Sequence, residues 1–175
     1  MIKVVSVFGT GAAKPGDKNF ALAEQLGRLL AGAGFAIANG GYGGTMAAAA
    51  KGAREAGGEV IGVTCSAFGG AANKYISREI VTESLNERLE KLTELGGAYV
   101  VLPGGTGTLL ELALVWELKN KGFLSDDKPI ILLGGHWNRL VGLIAANDPD
   151  GPRHLLAANE PKDVIKMLKE RNRPR

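Results

Sequence analysis

The chain has 175 residues, a length typical of one domain that buries its own core, and we expect a single domain over residues 1–175. Lys and Arg outnumber Asp and Glu by only 21 to 18, so the net charge of +3 does not favour a nucleic-acid partner. The single cysteine, Cys65, excludes an internal disulfide and a cysteine-rich metal site, and it fits a reducing compartment.

The apolar run at residues 1–7 is too short for a signal peptide, and no run in the sequence reaches the length of a membrane span. We therefore expect a cytoplasmic protein without a membrane partner. His136 and His154 are isolated and lack metal-ligand spacing, so we expect no metal and no cofactor. The basic residues at 166–175 do not form an uninterrupted block, and this pattern indicates a solvated helix end.

Strands and helices alternate along the chain. Apolar and β-branched runs predict strands at residues 3–8, 35–38, 59–64, 79–82, 98–102 and 129–133. Helical spacing of apolar residues predicts helices at 19–33, 45–56, 84–95, from the loop after Pro103 to about Lys121, at 137–146 and at 161–170. Asp17 is the expected cap of the first helix, and Ser84 with Glu87 that of the third. Residues 66–73 read as a loop of small residues.

This alternation, with nearly continuous apolar strands, predicts an α/β fold: a doubly wound, Rossmann-like parallel sheet with helices on both faces. Ligands of such sheets bind at the carboxyl ends of the strands, near the point where strand order reverses. Three glycine-rich loops follow predicted strands, at residues 9–11, 40–44 and 104–108. They converge on one ligand if the first, second and fifth strands are neighbours.

The 26 glycines are about twice the usual share, and many of them lie in these loops. None of the loops is a dinucleotide fingerprint, because Lys14, Met46 and Leu110 stand where a third glycine belongs. The sequence also has no Gly-Lys-Ser/Thr motif, which excludes a P-loop triphosphate site. Residues 9–11 fit a tight turn or a phosphate contact equally well. The hydroxyls and consecutive amides of residues 104–108 favour phosphate.

Two charged residues have competing interpretations. Glu111 follows the third loop, and we place it in the first turn of the next helix, where it can act chemically or reach back to Thr108 in a capping box. Arg88 can be a functional arginine or an exposed helix arginine that pairs with a neighbouring glutamate.

Trp116 is expected in the core or at an interface.

Residues 103–111 match the PGGxGTxxE signature of the LOG family, long mislabelled lysine decarboxylases. Arg88, fifteen residues before Pro103, resembles the arginine of that family, and residues 40–46 resemble its second glycine-rich loop. The similarity spans roughly residues 3–145. With the loops above, it gives these candidate substrate- or phosphate-binding residues: Gly9, Thr10, Gly11, Gly41, Gly43, Gly44, Thr45, Gly104, Gly105, Thr106, Gly107 and Thr108.

The resemblance implies a Rossmann-like homodimer that hydrolyses the N-glycosidic bond of a nucleoside 5′-monophosphate, such as AMP or a cytokinin riboside monophosphate. The products are a free base and ribose 5-phosphate. By position, Glu111 and Arg88 are the catalytic residues: Glu111 lies against the ribose, and Arg88 contacts phosphate or assists departure of the base. The loop at residues 104–108 holds the phosphate.

The chain departs from the family pattern in three places. Leu89 replaces a lysine after the arginine, Leu110 replaces a glutamate before Glu111, and Gly-Thr-Gly at 9–11 replaces Gly-Ser-Ser. These departures resemble molybdenum-cofactor carrier proteins, which share the loops and bind without necessarily hydrolysing. The alternative is therefore a non-catalytic protein that binds or carries a nucleotide or a pterin phosphate.

Overall fold

The computed structural model describes residues 1–173, so the last two residues of the basic tail lie outside the described part. Seven strands are present: β1 (Val4–Phe8), β2 (Ala36–Asn39), β3 (Val60–Cys65), β4 (Arg78–Thr82), β5 (Ala98–Val101), β6 (Ile130–Leu133) and β7 (Leu155–Ala158). The α-helices are α1 (Lys18–Gly32), α2 (Thr45–Glu55), α3 (Leu85–Leu95), α4 (Thr106–Asn120), α5 (Asn138–Ala145) and α6 (Pro161–Arg171).

The strands form one sheet in the order β4-β3-β2-β1-β5-β6-β7. Every pairing is parallel; in the centre, Val5 lies opposite Ile37 of β2 and Ala98 of β5. Chain order reverses between β1 and β5, which makes their carboxyl ends the switch point where ligands of such sheets bind. The predicted doubly wound, Rossmann-like α/β fold is confirmed.

Each face of the sheet has its own apolar core. On one face, Leu26, Ala49 and Leu168 of α1, α2 and α6 pack against the strands. On the other, Leu92 and Leu112 of α3 and α4 do so, and α5 packs at the edge. The central strands are buried on both faces, which explains why their sequences are almost wholly apolar.

The structure adds elements that the pattern did not predict. β7 extends the sheet at a segment of two leucines and two alanines, residues that favour helices over strands. Within the predicted loop at 66–73, Ser66–Phe68 form a short 3-10 helix that ends at Gly69 in the left-handed conformation. No helix among residues 1–173 is long and apolar enough to cross a bilayer.

The predicted caps are correct in position and differ in detail. Asp17 is the N-cap of α1, but its carboxylate accepts from the backbone N–H of Lys14 and makes no cap hydrogen bond to the helix. Ser84 caps α3 by accepting from the N–H of Glu87, as predicted. The Glu87 carboxylate reaches the N–H of Glu83, one residue before the expected partner.

Candidate active site

The three glycine-rich loops meet at the carboxyl edge of the central strands, because β2, β1 and β5 are neighbours. Between them lies a cavity of about 440 Å³, a volume that suits a small-molecule ligand. Its lining combines loop backbone, two charged side chains and three large side chains: Gly9, Thr10, Gly11, Ala12, Tyr42, Met46, Phe68, Arg88, Gly105, Thr106, Gly107, Thr108 and Glu111.

The first and second loops are fastened to each other. The backbone N–H and the hydroxyl of Thr45 both donate to the carbonyl oxygen of Thr10, at 2.9 and 3.0 Å. Gly44 has a positive φ of 65°, and a Cβ there would overlap the same carbonyl oxygen. A Cβ at Gly9 would overlap the hydroxyl of Thr45. These small residues therefore allow the two loops to touch and fix one wall of the cavity.

The third loop runs directly into α4. The helix begins at Thr106, and its N-cap, Gly105, has no side chain to satisfy the first backbone N–H groups. Those N–H groups have no acceptor within a helix. Together with the positive end of the helix dipole, they favour an anion such as phosphate. A Cβ at Gly105 or Gly107 would meet open space, so packing does not require glycine at either position.

Glu111 lies in the second turn of α4, one turn later than predicted, because the helix begins at Thr106. The capping-box interpretation is therefore wrong: Thr108 is the third residue inside the helix and not its cap. Glu111 instead lines the cavity with a side chain that is only 11% exposed. Burial raises the pKa of its carboxyl group to about 7, although the positive charge of Arg88 acts in the opposite direction.

Arg88 is not the exposed helix arginine that its glutamate neighbours suggested. Its side chain is 8% exposed, and its Nε donates to the carbonyl oxygen of Val63 at 2.8 Å. Its Nη1 lies 3.8 Å from Oε1 of Glu111, an ion pair too long for a direct hydrogen bond. A Cβ at Gly40 would overlap Nη2 of Arg88, so the glycine makes room for the guanidinium group.

The structure brings most of the predicted residues to the cavity. Those that lie beside it and shape the loops are Gly41, Gly43, Gly44, Thr45 and Gly104. The pattern missed Ala12, Tyr42, Met46 and Phe68 in the lining, and Gly40 behind Arg88. Tyr42 lies inside a glycine-rich loop and Phe68 follows a parallel strand. Both are positions where ligand-binding residues of such sheets occur, so the sequence could have indicated them. Among residues 1–173, no group of His, Cys, Asp and Glu side chains is arranged to hold a metal ion.

Trp116 and His136, which the sequence also singled out, each lie beside a backbone carbonyl oxygen. Trp116 is buried, and its indole N–H donates to the carbonyl oxygen of Gly151. His136 is exposed, and its Nε2 lies 3.0 Å from the carbonyl oxygen of Gly104.

Comparisons with known proteins agree with this architecture. A phosphoribohydrolase of Mycobacterium tuberculosis, named for cytokinin riboside 5′-monophosphate, is 32% identical over 157 residues, which cover 83% of this chain and 82% of the relative. The molybdenum cofactor binding protein of Rippkaea orientalis superposes with a TM-score of 0.80 at 28% identity, over 97% of both chains. The molybdenum cofactor carrier protein of Chlamydomonas reinhardtii gives 0.76 at 25% identity, over 98% of both.

The SLOG cluster4 family matches residues 2–165, almost the whole described chain. This match and the mycobacterial relative confirm the resemblance to the LOG family, and the chain belongs to the SLOG cluster4 family.

Proposed function

We propose that the protein hydrolyses the N-glycosidic bond of a nucleoside 5′-monophosphate. The observation that carries the proposal is the buried Arg88–Glu111 pair in a cavity bordered by the N-terminus of α4. Burying two charges costs free energy, and such charges occur most often at functional sites. The name of the mycobacterial relative supports the same chemistry.

In this mechanism the backbone N–H groups at the start of α4 bind the 5′-phosphate. Glu111, one turn further along, lies beside the ribose. Its carboxylate stabilises the positive charge that develops on the ribose as the bond to the base lengthens, or orients the attacking water. Water adds its oxygen to C1′, the bond electrons leave with the base, and a proton from the water completes the balance. Arg88 stabilises negative charge on the departing base.

The test is to incubate the pure protein with a panel of purine and pyrimidine 5′-monophosphates, and to measure free base and ribose 5-phosphate in equal amounts. Adenosine is the matched control, because it has the same glycosidic bond as AMP and no phosphate for α4 to bind. We expect release from a monophosphate and far slower release from adenosine. Absence of release from every monophosphate would contradict the proposal.

A carrier of a pterin phosphate is the second candidate, supported by the close superposition on the Rippkaea and Chlamydomonas proteins. The two leucines that first indicated a carrier do not line the cavity: Leu89 is buried in α3 and Leu110 is on the exposed side of α4. The two leucine departures therefore leave the cavity lining unchanged, whereas the third departure, at residues 9–11, lies within it. Co-purification of a fluorescent pterin in equimolar amount, without base release, would favour the carrier over the hydrolase.

We further propose that the chain forms a homodimer through the side of the molecule that carries α3 and α4. Apolar side chains are exposed there: Leu85 at 40% and Leu110 at 42%. Leu85→Glu should convert the dimer to a monomer in light scattering. Val81→Glu is the control, because Val81 is 61% exposed on β4 and alternates with Ile80, which packs on the side of α3 and α4. A wild-type protein that is already monomeric would contradict the proposal.

A further inference from the structure

The chemistry of the cavity lining changes in a fixed order. At one end are the backbone N–H groups of residues 106–108. Glu111 follows Thr108 by three residues, about 4.5 Å along the helix axis. Arg88 lies 3.8 Å from Glu111, and its Cζ is 5.7 Å from the ring centre of Tyr42 and 5.8 Å from that of Phe68. The order is therefore anion site, carboxylate, guanidinium and aromatic rings.

Tyr42 is a fixed part of this aromatic end. Its hydroxyl accepts from the backbone N–H of Cys65 at 2.8 Å and donates to the carbonyl oxygen of the same residue at 3.1 Å. The side-chain amide of Asn73 donates to the carbonyl oxygens of Gly41 and Tyr42. The second loop, the end of β3 and the segment after it are thus held together around the tyrosine ring.

Phe68 is the exposed part. It ends the 3-10 helix after β3, and it is 51% exposed although it is a large apolar residue. Its ring centre lies 6.1 Å from that of Tyr42, with the planes tilted by 44°. The two rings already contact each other, so a flat ligand packs against the pair and not between its members. Phe68 therefore lines the cavity while about half of its surface is exposed.

We propose that Tyr42 and Phe68, with Met46 beside them, form a wall that receives the flat heteroaromatic base of the ligand. This inference rests on the proposed function, since it assigns the far end of the same site. A nucleoside 5′-monophosphate presents phosphate, ribose and base in that order, and the lining presents an anion site, Glu111 and an aromatic wall in the same order.

The wall recognises the face of the base more than its edge. The Tyr42 hydroxyl is already paired with the backbone of Cys65, and the Phe68 side chain has no hydrogen-bonding group, so the two rings offer a base their faces. Stacking on an aromatic side chain tolerates any base and strengthens with ring area. We therefore expect a preference for purine over pyrimidine monophosphates.

The experiment compares Phe68→Ala with Phe123→Ala, a matched control that removes a phenylalanine 77% exposed and outside the cavity. Binding of AMP, GMP, UMP and ribose 5-phosphate is measured by calorimetry, with Glu111→Gln present in every variant so that no ligand is consumed. Circular dichroism verifies folding. Phe68→Leu keeps the apolar volume without the aromatic face, and it serves as a second variant should the alanine disturb the loop.

We expect Phe68→Ala to weaken AMP and GMP binding about tenfold and UMP binding less, as for loss of one stacking side chain. Ribose 5-phosphate has no base, so its affinity should stay within about twofold of the parent value. Phe123→Ala should change none of them. Equal losses for AMP and ribose 5-phosphate, or no loss for either, would overturn the inference.

The two proposals fail in different ways. If the wild-type protein binds AMP but releases no adenine, and Phe68→Ala weakens AMP binding alone, the hydrolase proposal falls and the aromatic wall stands. If the wild-type protein hydrolyses AMP and Phe68→Ala does so with unchanged KM, the wall falls and the hydrolase proposal stands.

Discussion

The molecule carries two clusters of charged side chains in different surroundings. Between α1 and α2, Glu24, Arg28, Lys51 and Glu55 form a surface network with contacts of 2.6 to 3.8 Å, and their side chains are 20 to 51% exposed. At the site, Arg88 and Glu111 are 3.8 Å apart and 8 and 11% exposed. The surface network has closer contacts. Removal of one partner should nevertheless cost more in the buried pair, because less water is present to screen the remaining charge.

Glycines differ between the same two regions. Where α1 crosses α2, a Cβ at Gly27 would overlap the backbone of Ala49 and a Cβ at Gly52 that of Glu24, so these glycines permit close helix packing. At the site, a Cβ at Gly40 would overlap the end of a flexible side chain, Arg88. Gly27 and Gly52 thus permit close packing of two helices, whereas Gly40 leaves room for a functional side chain.

The largest effect should come from removal of the buried carboxylate. Glu111→Gln should lower kcat for nucleotide hydrolysis about 100- to 1000-fold, because the amide cannot stabilise positive charge on the ribose. Glu117→Gln is the control on the same helix, since that side chain is 60% exposed and should leave kcat unchanged. Full activity of a folded Glu111→Gln protein would remove Glu111 from the mechanism.

The same carboxyl group should make stability depend on pH. Its pKa is raised from 4.5 to about 7 by burial, so the folded state holds a proton that the unfolded state releases between these values. The stabilising contribution is complete below pH 4.5 and is lost as pH rises through 7. Between pH 4.5 and pH 8, the free energy of unfolding of the wild type should fall by roughly 3 kcal/mol relative to that of Glu111→Gln. Urea denaturation measures both. Parallel pH profiles would mean that Glu111 titrates normally.

Glycine substitutions should separate the two regions. Gly52→Ala forces a Cβ against backbone and should lower the free energy of unfolding by about 2 kcal/mol, with activity per folded molecule retained. Gly40→Ala displaces the guanidinium of Arg88, so it should lower activity at least tenfold with a smaller loss of stability. Melting curves and kinetics on the same samples test both. The reverse pattern would show that Gly40 is a packing residue.

Much of the fold follows from the sequence because burial on both faces of a parallel sheet produces continuous apolar runs that are easy to recognise. β7 is the exception, since its leucines and alanines satisfy a helix as well as a strand, and only pairing with β6 selects the strand. The start of α4 was misplaced for a related reason. Gly105 gives no side-chain cap signal, and Thr108 offers a false one.

The sequence named most of the residues that line the cavity, and it predicted that the three loops meet if β1, β2 and β5 are neighbours. The resemblance to the LOG family made Arg88 and Glu111 candidates, but no local pattern shows that α3 and α4 turn these side chains toward one cavity. That arrangement depends on β1 lying between β2 and β5. Phe68 was missed because its segment has no helical or strand period, and its position at the site comes from the end of β3.

The smallest effect should come from the surface network, and it completes the contrast with the buried pair. Glu24→Gln removes the carboxylate that pairs with both Arg28 and Lys51, and its hydrogen bonds are what raise the pKa of Lys51. Exposed pairs are screened by salt, so the urea midpoint should fall slightly at low salt and match wild type at about 1 M NaCl. Activity should not change, because the network lies away from the cavity lining. A loss of stability that persists in high salt would show that Glu24 acts through packing between α1 and α2, and the distinction between exposed and buried charge would then fail at this residue.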